Sequence, residues 1–254
     1  MGIACQSGLA QDDPWSDFEL AKYLMRNGVA VNVEHASLWF DSGALGPNEM
    51  DRFSKLVDQG IVRIEAYLGR AHPGRRKIRY FISDRVEMSH STRQSIFLPL
   101  DMVRERTAPY LHETTHVVAP CDDCPMWFSE GLASYVQSYI SEHAGGYDGA
   151  VFSQHGNRGI NRDVRRWLAS DSGQAVVAYI GVPGEPPAIN YDRSNVAAPF
   201  YVMAQSFVRF IVKRAGIERV RRLSGADDFD AAMLSVTGKS AGKWKEMWLA
   251  EVRR

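Results

Sequence analysis

Apolar positions recur at helical spacing along most of the chain and at alternate positions in a few short stretches. Over residues 14–27 the set Phe18, Leu20, Ala21, Leu24 and Met25 predicts a helix. Val29, Val31 and Val33 then alternate, in a segment rich in β-branched and aromatic residues that runs to Phe40, and this predicts a strand or hairpin. Gly46-Pro47-Asn48 opens a new element. Met50, Phe53, Leu56, Val57, Ile61, Ile64, Tyr67 and Leu68 share one face of an amphipathic helix that His72-Pro73-Gly74 ends. Residues 77–82 and 95–98 read as short strands separated by a polar loop over 84–93.

Beyond residue 100 the pattern is mainly helical. One helix is expected from about Val103 to Val118, with Thr107 and Pro109 near an early turn. After a loop over 120–125 a second helix is expected from Met126 to Ile140. Residues 144–195 are rich in Gly, Pro, Asn and Asp and yield one helical stretch near 164–169. The final third predicts helices over 200–215, 217–223, 229–235 and 243–252. Strands first and helices afterwards argue for an α+β architecture, a small mixed sheet followed by a mostly helical part. The expected organisation is one domain over 14–254, with a sheet-containing half to residue 120 and a helical half from 121.

Composition narrows the function classes. Of 254 residues 45% are hydrophobic and 24% charged, enough for a substantial core without disulfides. Lys plus Arg and Asp plus Glu number 30 each, so the basic excess of a nucleic-acid binder is missing. No apolar run approaches the roughly 20 residues of a membrane-spanning helix. Residues 1–13 read as a signal remnant or a disordered N-terminus. Gly8-Leu9-Ala10 resembles the tail of a secretory signal, and Gly2-Ile3-Ala4-Cys5 a degenerate lipoprotein site that would place a lipid anchor on Cys5. Export to a periplasmic or extracellular compartment is the expectation, with a plain cytosolic terminus as the other option.

Cys121 and Cys124 form a C-x-x-C pair, which could be redox-active, half of a zinc site or a local disulfide. With no second C-x-x-C, a disulfide clamping a small loop is expected in an oxidising compartment, and two free thiols in a reducing one.

The chemistry concentrates at His112-Glu113-Thr114-Thr115-His116. On a helix, positions i and i+4 share a face, so both imidazoles can address one ion while Glu113 reaches a water as general base. Two surface histidines would be the plain alternative. Tyr110, Leu111, Val117 and Val118 make the helix partly buried, however, and buried histidines need partners. Glu130 sits in an apolar stripe (Phe128, Leu132, Ala133, Tyr135, Val136) at the start of the next helix, where a carboxylate is costly without a cation. Gly131 is expected to allow close approach to the first helix. Two histidines and one glutamate leave a tetrahedral zinc one open position.

His112-Glu113-x-x-His116 followed by Trp127-Phe128-x-Glu130-Gly131-Leu132-Ala133-x-Tyr135 resembles the gluzincins, the peptidases that include thermolysin-like and M1 aminopeptidase-like enzymes. The resemblance spans residues 77–215. It implies a zincin-like fold, Zn2+ held by His112, His116 and Glu130, Glu113 as base, and a peptide or protein substrate. It also implies a sheet edge strand, expected at 95–98 with Ser95, Ile96 and Phe97, that pairs with extended substrate. Pro199-Phe200-Tyr201 resembles the M1 segment whose tyrosine donates to the oxyanion, with His155 and Tyr191 as rival donors. The other histidines (His35, His72, His90, His143) are expected to be ordinary surface or packing residues. Three departures stand out. The ligand spacing is shorter than in those families, and no G-x-M-E-N segment precedes the motif, which favours an endopeptidase over an aminopeptidase. Ser134 stands where thermolysin-like enzymes carry a histidine-orienting carboxylate, so that partner is expected elsewhere. A hydrolase with a narrow or non-peptide substrate, and an inert metal-containing module, remain the alternatives.

Overall fold

The computed structural model describes residues 16–43, 45–71, 76–121, 123–144, 154–183 and 196–254. The expectations for Cys5, His72 and Tyr191 lie outside the described residues. The chain opens with helix α1 (Asp17–Asn27), started by a capping box in which Ser16 and Glu19 satisfy each other's backbone N–H groups. A hairpin follows, β1 (Val29–Asn32) and β2 (Ala36–Phe40), and then the long helix α2 (Pro47–Leu68). Strands β3 (Ile78–Ser83), β4 (His90–Ser91) and β5 (Ser95–Pro99) complete a five-stranded sheet in the order β1-β2-β3-β5-β4. β2, β3 and β5 run parallel, while β1 and β4 pair antiparallel at the two margins.

Alternation along the strands decides what covers each face. Leu38, Phe40, Ile78, Tyr80, Ile82, Ile96 and Leu98 point into the main core, under α2 and the helices after the sheet. Phe81 and Phe97 point the other way, into a small cluster with Leu20 and Leu24 of α1 and Val86. The sheet is therefore covered on both faces, and its central strands are almost wholly apolar.

Two sequence expectations need correction here. The strand at 95–98 is not an edge: β5 lies between β3 and β4, and Ser95, Ile96 and Phe97 are all buried. The margin is β4, two residues long, which the polarity of 84–93 had disguised as loop. The helix expected over 103–118 is also broken, into α3 (Leu100–Arg104) and α4 (Tyr110–Val118). Pro109 supplies no N–H and disfavours helical geometry in the residue before it. The connection turns through Arg106 at φ 60, and the N–H groups of Thr107 and Ala108 both return to the Met102 carbonyl at 2.8 and 3.1 Å.

The helical half comprises α5 (Met126–Ala144), α6 (Gly156–Leu168), α7 (Asp171–Val177), α8 (Ala197–Ala215), α9 (Ile217–Val220), a 3-10 turn at Arg221–Leu223, α10 (Phe229–Thr237) and α11 (Ala241–Val252). α8 is its axis, buried along nearly its whole length against α5 and α6. Trp127, Phe207 and Trp248 pack in series, their rings tilted, at 4.9 and 5.4 Å between ring centres. Among its described residues, the region 144–195 holds two helices where one short stretch was expected. Ser170 starts α7 by accepting from the Gly173 N–H at 3.2 Å.

Gly131 has a different neighbour from the one expected. A Cβ there would lie 2.6 Å from the Ala204 carbonyl oxygen, so its missing side chain lets α8, not α4, approach α5. Gly60 performs the service expected of Gly131: a Cβ on it would strike Leu111 and Tyr110 at 2.8 and 2.9 Å, so α2 and α4 meet there. The loop joining α4 to α5 is clamped by a Cys121–Cys124 disulfide, with Cα atoms 5.3 Å apart.

Candidate metal centre

α4 and α5 carry the site between them. Thr115 bonds back to the Leu111 carbonyl at 2.8 Å, and Thr114 meets the buried Tyr80 hydroxyl at 2.6 Å. The Thr114–Tyr80 bond ties α4 to the sheet, and His112, Glu113 and His116 face a cleft of about 360 Å³. Glu130, on the first turns of α5, completes the group. His112 Nε2 lies 3.0 Å from Glu130 Oε2, His116 Nε2 3.5 Å from Glu130 Oε1, and the two Nε2 atoms are 3.1 Å apart.

Donors each about 2.0–2.2 Å from a tetrahedral zinc lie roughly 3.3–3.5 Å from one another. The observed separations are 3.0, 3.1 and 3.5 Å, two of them a few tenths of an ångström short of that range, so small side-chain shifts would admit one such ion. The chemistry of the donors agrees. His112 Nδ1 faces the Ser134 hydroxyl at 3.4 Å and His116 Nδ1 faces Ser129 at 3.3 Å. A proton on each Nδ1, donated to its serine, leaves both Nε2 lone pairs aimed at the same point as a carboxylate. Three acceptors converging in a mostly buried volume are a donor set that a cation between them would balance.

Ser134 thus corrects an expectation: the histidine-orienting partner is not elsewhere but at that position, a hydroxyl instead of a carboxylate.

In the protein without metal a proton plays the cation's part. Burial pushes the His116 imidazole down, but the Glu130 carboxylate beside it, with a smaller push from Glu113, raises it to about 9. Burial pushes Glu130 up. The His116 charge and hydrogen bonds from both imidazoles outweigh that and hold its carboxyl well below the usual carboxylate range.

Glu113 is 6% exposed and lines the cleft beside these donors. Tyr201, in the first turns of α8, also lines it, its ring centre 6.1 Å from that of His112. His155 does not: Asp163 holds its ring at 2.6 Å at the start of α6, away from the cleft lining. Ser95, Ile96 and Phe97 are absent from the lining too, replaced by Ser89, His90, Ser91, Thr92 and Arg93 of β4 and its flanks.

His90 is a packing residue, as expected, that also lines the cleft. Its Nε2 meets Asp17 of α1 at 2.8 Å, its Nδ1 meets the Met88 carbonyl at 3.0 Å, and its ring stacks on Phe97 at 4.9 Å. The sequence signal for this wall was faint: a polar run, 89–93, shortly before a mainly apolar strand. His35, with Glu34 and Asp58, forms a second group of close donors. Asp58 Oδ1 there already accepts from the His35 backbone at 2.7 Å and ring at 3.2 Å, which ties the β1–β2 turn to α2.

No family model matches the chain, and no curated protein matches it. Among solved structures, it is similar to an M1 zinc metallopeptidase (a single-site mutant) from Deinococcus radiodurans. The TM-score is 0.47 and the identity 13%, over 87% of this chain and 50% of that one. The chain spans half the length of that structure.

Proposed function

We propose that this chain is a zinc-dependent metallopeptidase of zincin-like, gluzincin type, cleaving within peptides and not at a free amino terminus. The observation that carries the reading is the convergence of His112, His116 and Glu130 at 3.0–3.5 Å with Glu113 buried beside them. A purely structural ion has no use for a second carboxylate on the cleft wall.

His112, His116 and Glu130 hold the ion, and Ser134 and Ser129 fix the two ring orientations. Zinc bound there supplies a Lewis acid that polarises the scissile carbonyl and makes water a better nucleophile near neutral pH. Glu113 accepts the proton of the attacking water and delivers it to the leaving nitrogen. The Tyr201 hydroxyl donates to the carbonyl oxygen as negative charge develops on it. Substrate backbone lies along the outer side of β4, the strand at the margin of the sheet. The Cys121–Cys124 disulfide agrees with an exported protein acting outside the reducing cytosol.

The test compares zinc content with peptide turnover. In Glu113→Gln, zinc stoichiometry is expected to stay at the wild-type level while turnover falls by about 10²–10⁴-fold. His116→Ala is expected to lose both. Unchanged hydrolysis in Glu113→Gln removes the base assignment, and a wild-type protein that takes up no zinc on titration removes the whole reading.

A further inference from the structure

The strand wall of the cleft has a narrow footing. β4 is two residues long, and it pairs with β5 through His90 opposite Phe97 and Ser91 opposite Ile96. Pairing that short is marginal by itself. Ser89 to Arg93 nevertheless line the cleft, and β4 stands at the margin of the sheet, with no further strand outside it among the described residues. A strand of this kind needs an anchor besides its ladder.

The anchor comes from 73 residues away in sequence. Asp17 opens α1, and its Oδ1 lies 2.8 Å from His90 Nε2, while His90 Nδ1 lies 3.0 Å from the Met88 carbonyl oxygen. Both ring nitrogens therefore face oxygens that accept. A neutral imidazole has one N–H and serves one of them, whereas the protonated ring donates to both. The ring also lies parallel to Phe97, at 8° and 4.9 Å between centres. Phe97 packs in turn with Leu20 and Leu24 of α1, the helix that Ser16 and Glu19 cap. His90 thus ties β4 to α1 through a carboxylate, to its own approach segment through a carbonyl, and to β5 through a stacked ring.

We propose that Asp17 and His90 are a positioning pair that holds β4 at the cleft wall, so that an extended substrate backbone meets an edge already in place. The inference rests on the peptidase reading, in which substrate lies along β4, and adds two residues to it. Neither takes part in the chemical step. An edge held in its bound form spares the ordering cost that binding would otherwise meet, so the pair acts on substrate affinity. The two side chains are 45% and 42% exposed, and an ion pair so open to water adds little to global stability. Its loss should register in KM and at β4, not in the unfolding midpoint.

The experiment uses the zinc-loaded full chain, a panel of quenched fluorescent peptides, and the variants Asp17→Ala, Asp17→Asn, His90→Ala and Asp17→Ala/His90→Ala. Glu19→Ala is the control, because it removes the capping box and leaves Asp17 and His90 in place. On a peptide that wild type cuts, Asp17→Ala should raise KM about ten-fold with kcat within about two-fold. Asp17→Asn keeps an acceptor oxygen and should recover part of the loss. The double variant should be no worse than His90→Ala alone, because the two side chains act as one. Amide exchange read by mass spectrometry should quicken over 88–97 in Asp17→Ala and keep the wild-type rate in Glu19→Ala.

An unchanged KM or unchanged exchange in Asp17→Ala overturns the proposal and leaves the peptidase reading in place. So does an equal loss in Glu19→Ala, or a double variant whose loss is the product of the two single losses. If wild type cuts no peptide, the peptidase reading falls, and fluorescence anisotropy of the same peptides on the zinc-loaded chain replaces KM. Weaker binding in Asp17→Ala than in wild type then supports the pair. Equal binding, or no binding to wild type, overturns it.

Discussion

His116 and Glu130 form a titrating pair whose behaviour without metal follows from their environments. His116 is raised from its ordinary 6.5 to about 9, so its contribution to stability is complete below 6.5 and disappears as pH climbs through 9. Glu130 is depressed below its ordinary 4.5, so its contribution is present above that value and fades as pH drops. The metal-free protein should therefore draw most from this pair between 4.5 and 6.5. Urea unfolding of chelator-treated protein, from about pH 3 to about pH 10, should show stability declining on both sides of that window. In His116→Gln the alkaline decline should flatten. A wild-type profile that is level between 6.5 and 9 would contradict the pairing.

At this scale the donors were legible because they are close in sequence and their residue types are chemically restrictive. His90 was not. A polar residue in a turn looks the same whether it faces open solvent or a cleft, and only packing against α1 and α4 distinguishes the two.

Among the elements, the contact between α5 and α8 is the tightest constraint on the site. Gly131 directly follows Glu130, a proposed ligand, and the Ala204 carbonyl oxygen would lie 2.6 Å from a Cβ placed on it. Gly131→Ala has to push the helices apart, and overpacking of this kind costs about 1–3 kcal/mol. Since α5 carries Glu130 and α8 carries Tyr201, the same change should weaken zinc binding. Urea unfolding with a parallel zinc titration measures both effects, and a variant of wild-type stability would show that the helices yield freely. The elements themselves were largely readable from periodicity, α2 and α5 most clearly. Periodicity failed over 103–118, where Val103, Tyr110 and Leu111 keep helical spacing across the polar stretch 104–107 and a backbone that Pro109 interrupts. It failed again at β4, because a two-residue strand is too short to alternate. Which glycine joins which pair of helices is set by tertiary packing, and nothing local in the sequence separates Gly60 from Gly131.

Across the molecule, the proposed ion is a bolt between its two halves. α4 packs against the sheet and α2, while α5 packs against α8 and the helices behind it. An ion bound only by the folded state stabilises it by about 2.7 kcal/mol at a free concentration one hundred times its dissociation constant. Adding chelator to the zinc-loaded protein should therefore lower its unfolding midpoint in a single cooperative transition, and re-adding zinc should restore it. A midpoint indifferent to chelator would mean that no ion belongs there. The α+β arrangement was visible in the order of strands and helices. The double coverage of the sheet was not, because α1 and β1 are near neighbours in sequence while Phe81 and Phe97, which meet α1, are not.

The donors' closeness along the chain also bears on the order of events during synthesis. His112, His116 and Glu130 all emerge well before residues 197–215, so the ribosome has delivered a complete ligand set while the helix that will back it is still unmade. Joining two such neighbouring segments is a matter of about 10–100 ns for a short loop. If zinc binds as proposed, its capture would then wait on encounter with the ion and on the docking of α8, not on a search for distant ligands.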